Sequence, residues 1–291
     1  MQWPLEGLAA AFASGLFFGL SDVLVRLASR GLRPEQNLLL SLAIGLPVLT
    51  FLALAFGGPC PGGRALIYYS LAGLVNFVIG RLLFYVSITY AGVATASVLT
   101  TPTIILASLL AWPVLGEPLS PRVLAGLILV VVGIYLVKGK PSGEAFHGGN
   151  PTLGIIAGLS SSLAFAVSAL LVRSAGGYGG GDPLWGSAVS YATALPFALA
   201  LCLARTGCRG WERESIAYMS GGASIVALAQ ASRYLALSIV PVAIASALIA
   251  LFPLHTVAFA RLMGRKAREE PGIRHVASAG LAVSGVLLAI Y

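Results

Sequence analysis

The sequence predicts an all-α integral membrane protein of ten transmembrane helices, built as two inverted five-helix repeats. Three observations lead there. Of the 291 residues, 58% are hydrophobic and only 10% are charged, against about 25% charged in an ordinary soluble domain. The apolar runs are continuous and lack the alternation of a barrel strand, so helices are left to satisfy the backbone in lipid. Finally, the stretch Arg81–Glu117 returns as Gln230–Lys266, with Tyr85/Tyr234, Val93/Val242, Ala94/Ala243, Ala96/Ala245, Ser97/Ser246 and Leu99/Leu248 each 149 positions apart. At roughly 20 residues per crossing each copy spans the bilayer twice, around the short joints Tyr90–Val93 and Ile239–Val242.

Taken in order, span 1 (Leu8–Ala28) carries a Gly15-xxx-Gly19 spacing suited to close helix contact. It is read as a helix and not as a cleaved signal, because no basic segment precedes it and it has a repeat partner. Its end, FGLSDVLVR, returns as FAVSALLVR at the end of span 6 (Leu153–Arg173), matching Phe18, Ser21 and Arg26 to Phe165, Ser168 and Arg173 at a shift of 147. Span 2 (Asn37–Phe56) and span 7 (Leu184–Ala204) share Ser41/Ser190 and the mid-span prolines Pro47/Pro196, which kink a helix and free a carbonyl. Spans 3 and 8 begin near Ala65 and Ser215, and spans 4 and 9 follow the short joints. Pro253 stands 13 residues before Lys266 but Pro102 stands 15 before Glu117, so the kink of span 4 is expected out of register with that of span 9. Spans 5 (Arg122–Val137) and 10 (Val276–Tyr291) present Gly126, Val130 and Gly133, and Gly280, Ser284 and Leu287, as packing stripes. The first repeat covers 1–138, a Gly-, Pro- and charge-rich linker 139–151, and the second repeat 152–291. Five spans per half is an odd number, so the second half enters the membrane from the opposite side.

The run from span 3 to span 5, YVSITYAGVATASVL and then ASLLAWPVLGEPLSPRVLAGLILVVVGIYLV, resembles the EamA-type repeat of the drug/metabolite transporter superfamily. The matching residues are Tyr85, Tyr90, Ala96-Ser97, Leu115-Gly116-Glu117, Leu119-Ser120, Gly126 and Gly133. The resemblance extends to both halves. It implies a transporter, for relatives are said to carry amino acids, sugars, nucleotide-sugars, sugar phosphates, purines and drugs. In the second half Arg265-Lys266 replaces the Gly-Glu corner.

Ionisable residues inside spans are few: Asp22, Arg26, Arg81, Arg173, Arg233, His255 and Arg261. At membrane depth each costs about 2.5–3.5 kcal/mol on insertion scales, which makes those far from a helix end candidates for function. Arg26, Arg173 and Arg261 lie near span ends and can snorkel. Arg81 lies deep in span 3, shares a face with Phe77 and Tyr85, and has Asn76 beside that stripe. The repeat shift sets Gln230 opposite Arg81 and Tyr234 opposite Tyr85, with Arg233 adjacent. A guanidinium is a planar fork for carboxylate or phosphate, and tyrosines supply walls with a hydroxyl. The substrate-binding candidates are therefore Arg81, Tyr85, Asn76, Gln230, Arg233, Tyr234, Asp22 and His255, with bracing of proline-freed carbonyls the competing role for the two arginines. Asp22 has three readings: proton acceptor, ligand for an amine, or partner of Arg26 one turn on. His255 is either a titrating group or a packing residue. Trp112 and Trp185 read as interface anchors.

Cys60, Cys202 and Cys208 have no ligand spacing, and neither a metal site nor a cofactor is expected. GGYGGGD (Gly176–Asp182) lacks the Lys-Ser/Thr of a phosphate loop and reads as a flexible connection. The net charge of +8 belongs to loops that orient the chain and does not indicate nucleic acid. The expected function is secondary transport of small polar or amphipathic metabolites, amino acids first, by export or exchange across the cytoplasmic membrane. Membrane lipid, a small-molecule substrate and a proton or counter-substrate are the partners, and the protein is a monomer or weak homodimer. Proton-coupled efflux of lipophilic cations through Asp22 is the alternative. An intramembrane enzyme on a lipid-linked substrate is more remote, because no pair of acids, metal cluster or Ser/His dyad stands at membrane depth, and a scaffold would leave Arg81 without a purpose. The cavity is expected among spans 1, 3, 4, 6, 8 and 9.

Thirteen of the 18 Lys and Arg residues fall in the loops after spans 1, 5, 7 and 9, and three in the opposite set. The positive-inside rule then places both termini outside, whereas the family resemblance implies cytoplasmic termini. Either way both termini share one side, so reporter tags at the two ends should give the same accessibility in intact cells; opposite accessibilities would mean an odd number of crossings.

Overall fold

The computed structural model describes residues 3–91, 96, 99–136, 151–177, 181–206, 209–262, 281 and 284–289. Val93, Ala94, Ser97, Cys208, Gly280, the linker residues 139–150, the Arg265-Lys266 corner and the centre of the Gly176–Asp182 loop lie outside them. The described elements are all helical: α1 Leu5–Ala28, α2 Pro34–Phe56, α3 Gly63–Ala91, α4 Thr103–Leu115, α5 Pro121–Leu136, α6 Pro151–Gly177, α7 Pro183–Thr206, α8 Arg213–Ile239, α9 Val242–Ile249, α10 Phe252–Leu262 and α11, residues 284–289. Helices α1, α2, α3, α6 and α7 are each long and apolar enough to cross a bilayer alone. Helices α9 and α10 are the two halves of span 9, divided by a turn at Ala250-Leu251.

Local chemistry sets the helix limits. α2 starts with Pro34 in the first position, where its missing N–H is not needed, while the Arg33 N–H donates to Gln36 Oε1 at 2.8 Å. α8 and α9 are joined by Val240-Pro241 alone, the tight hairpin expected there. α4 ends at Gly116, whose φ of 65° is left-handed and free of strain only without a Cβ. That reversal turns Glu117 back towards the second repeat. Its Oε1 accepts from Arg173 Nε at 2.9 Å and its Oε2 from the Val242 N–H at 2.8 Å, at the N-terminus of α9. Arg173 Nη1 also donates to the Leu237 and Ser238 carbonyls at 3.1 and 2.9 Å, closing the C-terminus of α8. A carboxylate at a helix start and a guanidinium at a helix end both oppose the helix dipole favourably.

The tertiary contacts exchange partners between repeats. α1 packs on α8 and on α9 and α10, just as α6 packs on α3 and α4, and α2 packs on α7. The glycines show the register. Gly7 abuts Ile239 and Val240, and its repeat mate Gly154 abuts Tyr90 and Ala91, the same contact after the shifts of 147 and 149. α1 runs antiparallel to α8, since Gly7 meets Ile239 while Leu24 meets Gly222. It runs parallel to the α9–α10 span, because Gly15 meets Leu248 and Ile249 while Gly19 meets Phe252 and His255. Those directions require the two halves to be inverted.

The Gly15-xxx-Gly19 spacing thus serves packing against α9 and α10. A Cβ on Gly15 would lie 2.9 Å from the Ile249 carbonyl oxygen, and one on Gly19 would lie 2.8 Å from the Thr256 nitrogen. On the far flank Gly126 of α5 faces Gly285 of α11, each Cβ position within 2.6 Å of the other's carbonyl oxygen. That contact uses one expected stripe but falls beside Ser284, not on it.

One expectation fails. The breaks in spans 4 and 9 are not displaced: the turn at Thr100–Pro102 and the turn at Ala250-Leu251 occupy equivalent positions at the 149-residue shift. Both prolines sit where a helix restarts, Pro102 as the N-cap of α4 and Pro253 second in α10. The first turn tolerates proline at more than one position, so the prolines differ in register while the breaks coincide.

Replacing Gly19 by Val should lower stability by about 1–3 kcal/mol through overpacking between α1 and α10, read as a lower melting temperature in detergent. An unchanged melting temperature would contradict this contact.

Candidate functional site

The centre of α3 departs from α-helical geometry. Residues Leu74–Arg81 form a π-helical stretch, and Asn76, Phe77, Gly80 and Arg81 within it are all buried. π segments are rare and concentrate at functional positions. Just before it the Tyr69 carbonyl accepts a hydrogen bond from Ser190 Oγ of α7 at 2.6 Å, which competes for an acceptor of the regular ladder.

That stretch faces a cavity of about 100 Å³ lined by residues of α1, α3, α6, α8, α9 and α10, by the Thr100–Thr101 turn and by the start of α4. At a water's share of about 30 Å³ of liquid volume this is room for roughly three waters. Five of the eight candidate residues line it: Asp22, Asn76, Arg81, Gln230 and Arg233.

Arg81 is 4% exposed. Its guanidinium carbon lies 5.3 Å from the Phe18 ring centre, 5.9 Å from that of Phe165 and 5.9 Å from that of Tyr85. Phe18 and Phe165 are repeat mates, so two symmetry-related rings hold one cation whose own mate is the neutral Gln230. Desolvated cation–π contacts are worth about 2 kcal/mol or more, and three rings go far to offset the cost of a buried charge. Gly80 makes this possible, since a Cβ there would lie 2.7 Å from the Phe165 ring. The rings leave the hydrogen-bonding edge of the arginine uncommitted: Nε has no acceptor, and no ion pair forms with Arg81 among the described residues.

The other cavity side chains are similarly unfinished. Asp22 is 2% exposed and its Oδ2 has no donor. Asn76 Nδ2 and Gln230 Oε1 have no partner. Arg233 Nη2 reaches the Phe165 carbonyl and Ser168 Oγ only at 3.4 and 3.5 Å, its Nη1 has no acceptor, and its guanidinium carbon lies 5.9 Å from the Tyr234 ring centre. Buried polar atoms are ordinarily paired, and five of the eleven unpaired ones among the described residues belong to this cavity.

Three candidates lie outside its lining. Tyr85 packs beside Arg81 with its hydroxyl unpartnered. Tyr234 points into the α7 contact, where its OH donates to Ser190 Oγ at 2.8 Å and its ring stacks on Tyr69 at 5.9 Å. His255 packs edge-on to Phe12 of α1 at 5.3 Å, beside Gly19. The exposed Trp112 does not line the cavity either.

Sequence reasoning overlooked Thr100, Thr101 and Thr103, which give the cavity a hydroxyl-bearing wall on the first-repeat side; the repeat mates in span 9 are Ile249, Ala250 and Phe252. The signal was the run Thr100-Thr101-Pro102-Thr103, hydroxyls grouped at a mid-span proline. Among the described residues no three His, Cys, Asp or Glu side chains are grouped to hold a metal.

The EamA-like transporter family model matches residues 5–139 and again residues 152–291. One solved crystal structure superposes with a TM-score of 0.75 over 97% of this chain and 95% of its own, at 18% identity, and so shares the fold. No curated protein sequence matches. With two copies of the family's repeat filling the chain, an inverted bundle around them and a structural counterpart over nearly its whole length, the protein belongs to the EamA-like transporter family of multi-pass membrane proteins.

Proposed function

We propose that the protein is a secondary transporter of small amphoteric metabolites, amino acids first, working by export or exchange across the cytoplasmic membrane. The observation that carries this reading is the cavity between the repeats, where two guanidiniums, a carboxyl and two carboxamides from both halves converge, each 8% exposed or less and each with an unpartnered polar atom. A zwitterion supplies two of the missing partners, its carboxylate for Arg81 and its ammonium for Asp22. The broken spans 4 and 9 bring their turns to the cavity wall, as in transporters whose sites sit at the midplane between inverted repeats. The two repeats, 1–138 and 152–291, would rock about that site, the Glu117–Arg173 contact opening and closing one end.

The alternative, proton-coupled efflux of lipophilic cations, is favoured by the unpartnered Oδ2 of Asp22. Against it, the aromatic cage such a cation would need already holds Arg81.

Purified protein should be stabilised by at least one amino acid, because a ligand at 100 times its Kd adds about 2.7 kcal/mol, a rise of several degrees in melting temperature. Arg81→Ala should abolish that rise, and Asp22→Asn should weaken it. If quaternary cations stabilise the wild type and Arg81→Ala alike, the cation reading replaces this one.

A further inference from the structure

The cavity contains two cations and one anion, an imbalance that a simple zwitterion does not satisfy. Arg81 and Arg233 both line it, and Asp22 is the one acid among its described lining residues. Neither arginine has an ion pair among the described residues, and no hydrogen bond or ion pair joins Asp22 to either. Both guanidiniums meet Phe165: Arg81 lies against the ring, while Arg233 reaches the carbonyl oxygen of the same residue.

The unpartnered atoms repeat the same imbalance. Three are donors, Arg81 Nε, Arg233 Nη1 and Asn76 Nδ2, and two are acceptors, Asp22 Oδ2 and Gln230 Oε1. A buried guanidinium without a paired anion is disfavoured by several kcal/mol after relaxation, so the site suits a ligand with two negative groups and one positive group.

Resting on the transporter reading above, we propose that the substrate is an acidic amino acid, a molecule with one ammonium and two carboxylates. One carboxylate takes Arg81 with Asn76, the second takes Arg233, and the ammonium takes Asp22 with Gln230. Arg233 is then the specificity residue: it stands where the first repeat has the apolar Phe84 at the 149-residue shift, so the second binding position exists on one side of the pseudo-two-fold axis only.

The test is a binding panel on the detergent-purified full chain: L-aspartate, L-glutamate, L-alanine, which lacks the second carboxylate, and succinate, which lacks the ammonium. Aspartate or glutamate should bind about tenfold or more tighter than either alanine or succinate, the scale of one charge-assisted hydrogen-bonded contact. Arg233→Gln should bring aspartate down to the affinity of alanine while leaving alanine unchanged, a loss of selectivity that misfolding cannot imitate. Alanine binding as tightly as aspartate overturns the second carboxylate position and leaves the amino-acid reading standing. Succinate binding as tightly as aspartate overturns the ammonium position. If none of the four binds, the amino-acid reading fails and this inference fails with it. Should Arg233→Gln not fold, the wild-type panel alone decides.

Discussion

Everything at the centre of this molecule depends on a guanidinium buried without an ion pair among the described residues. Arg81 lies at membrane depth, where a charge is disfavoured, and the protein surrounds it with ring faces and gives it no ion pair among the described residues. Rings attract the cation's face but do not use up its N–H donors. An ion pair would have taken up those donors. The cage therefore keeps the arginine in place and its edge available, and it requires the neighbouring glycine, Gly80, so that Phe165 can approach.

The fold around that cage is symmetric and the cage is not. Exchange of helix partners, matched glycine contacts and coincident breaks in spans 4 and 9 make the scaffold nearly two-fold. Chemistry departs from the symmetry at several cavity positions: Arg81 has Gln230 as its mate, Asp22 has Ala169, Phe84 has Arg233, and Thr100, Thr101 and Thr103 have apolar mates. The same holds at one end of the bundle, where Glu117 ties Arg173 to the start of α9 while the equivalent residue of the second half is Lys266. In transporters built as inverted repeats, the two related halves are what allow a central site to be exposed alternately to either side.

Much of this was legible in the sequence because duplication and hydrophobic run length are one-dimensional signals. The 149-residue shift identified the hairpins, and Arg81 stood out because one charge deep in an apolar run is rare. What could not be read depends on side-chain direction and local helix geometry. Tyr234 matches Tyr85 by position yet turns to Ser190, because a hydroxyl of α7 is near enough to hold it. The π stretch of α3 carries no proline to announce it, and it alters which residues share the buried face. Pro102 and Pro253 pointed to displaced kinks, but helix starts accept proline at more than one position. The threonines at the break of span 4 were visible as letters and gained meaning only when that turn was found on the cavity wall.

The most direct measurement is counterflow in proteoliposomes: vesicles reconstituted with the protein, loaded with an unlabelled amino acid, and given the labelled form outside. The account predicts transient accumulation of label by the wild type and none by Arg81→Ala reconstituted to the same density. Equal accumulation by both proteins would contradict a substrate held by the caged guanidinium, and no accumulation of any amino acid by the wild type would contradict amino-acid transport itself.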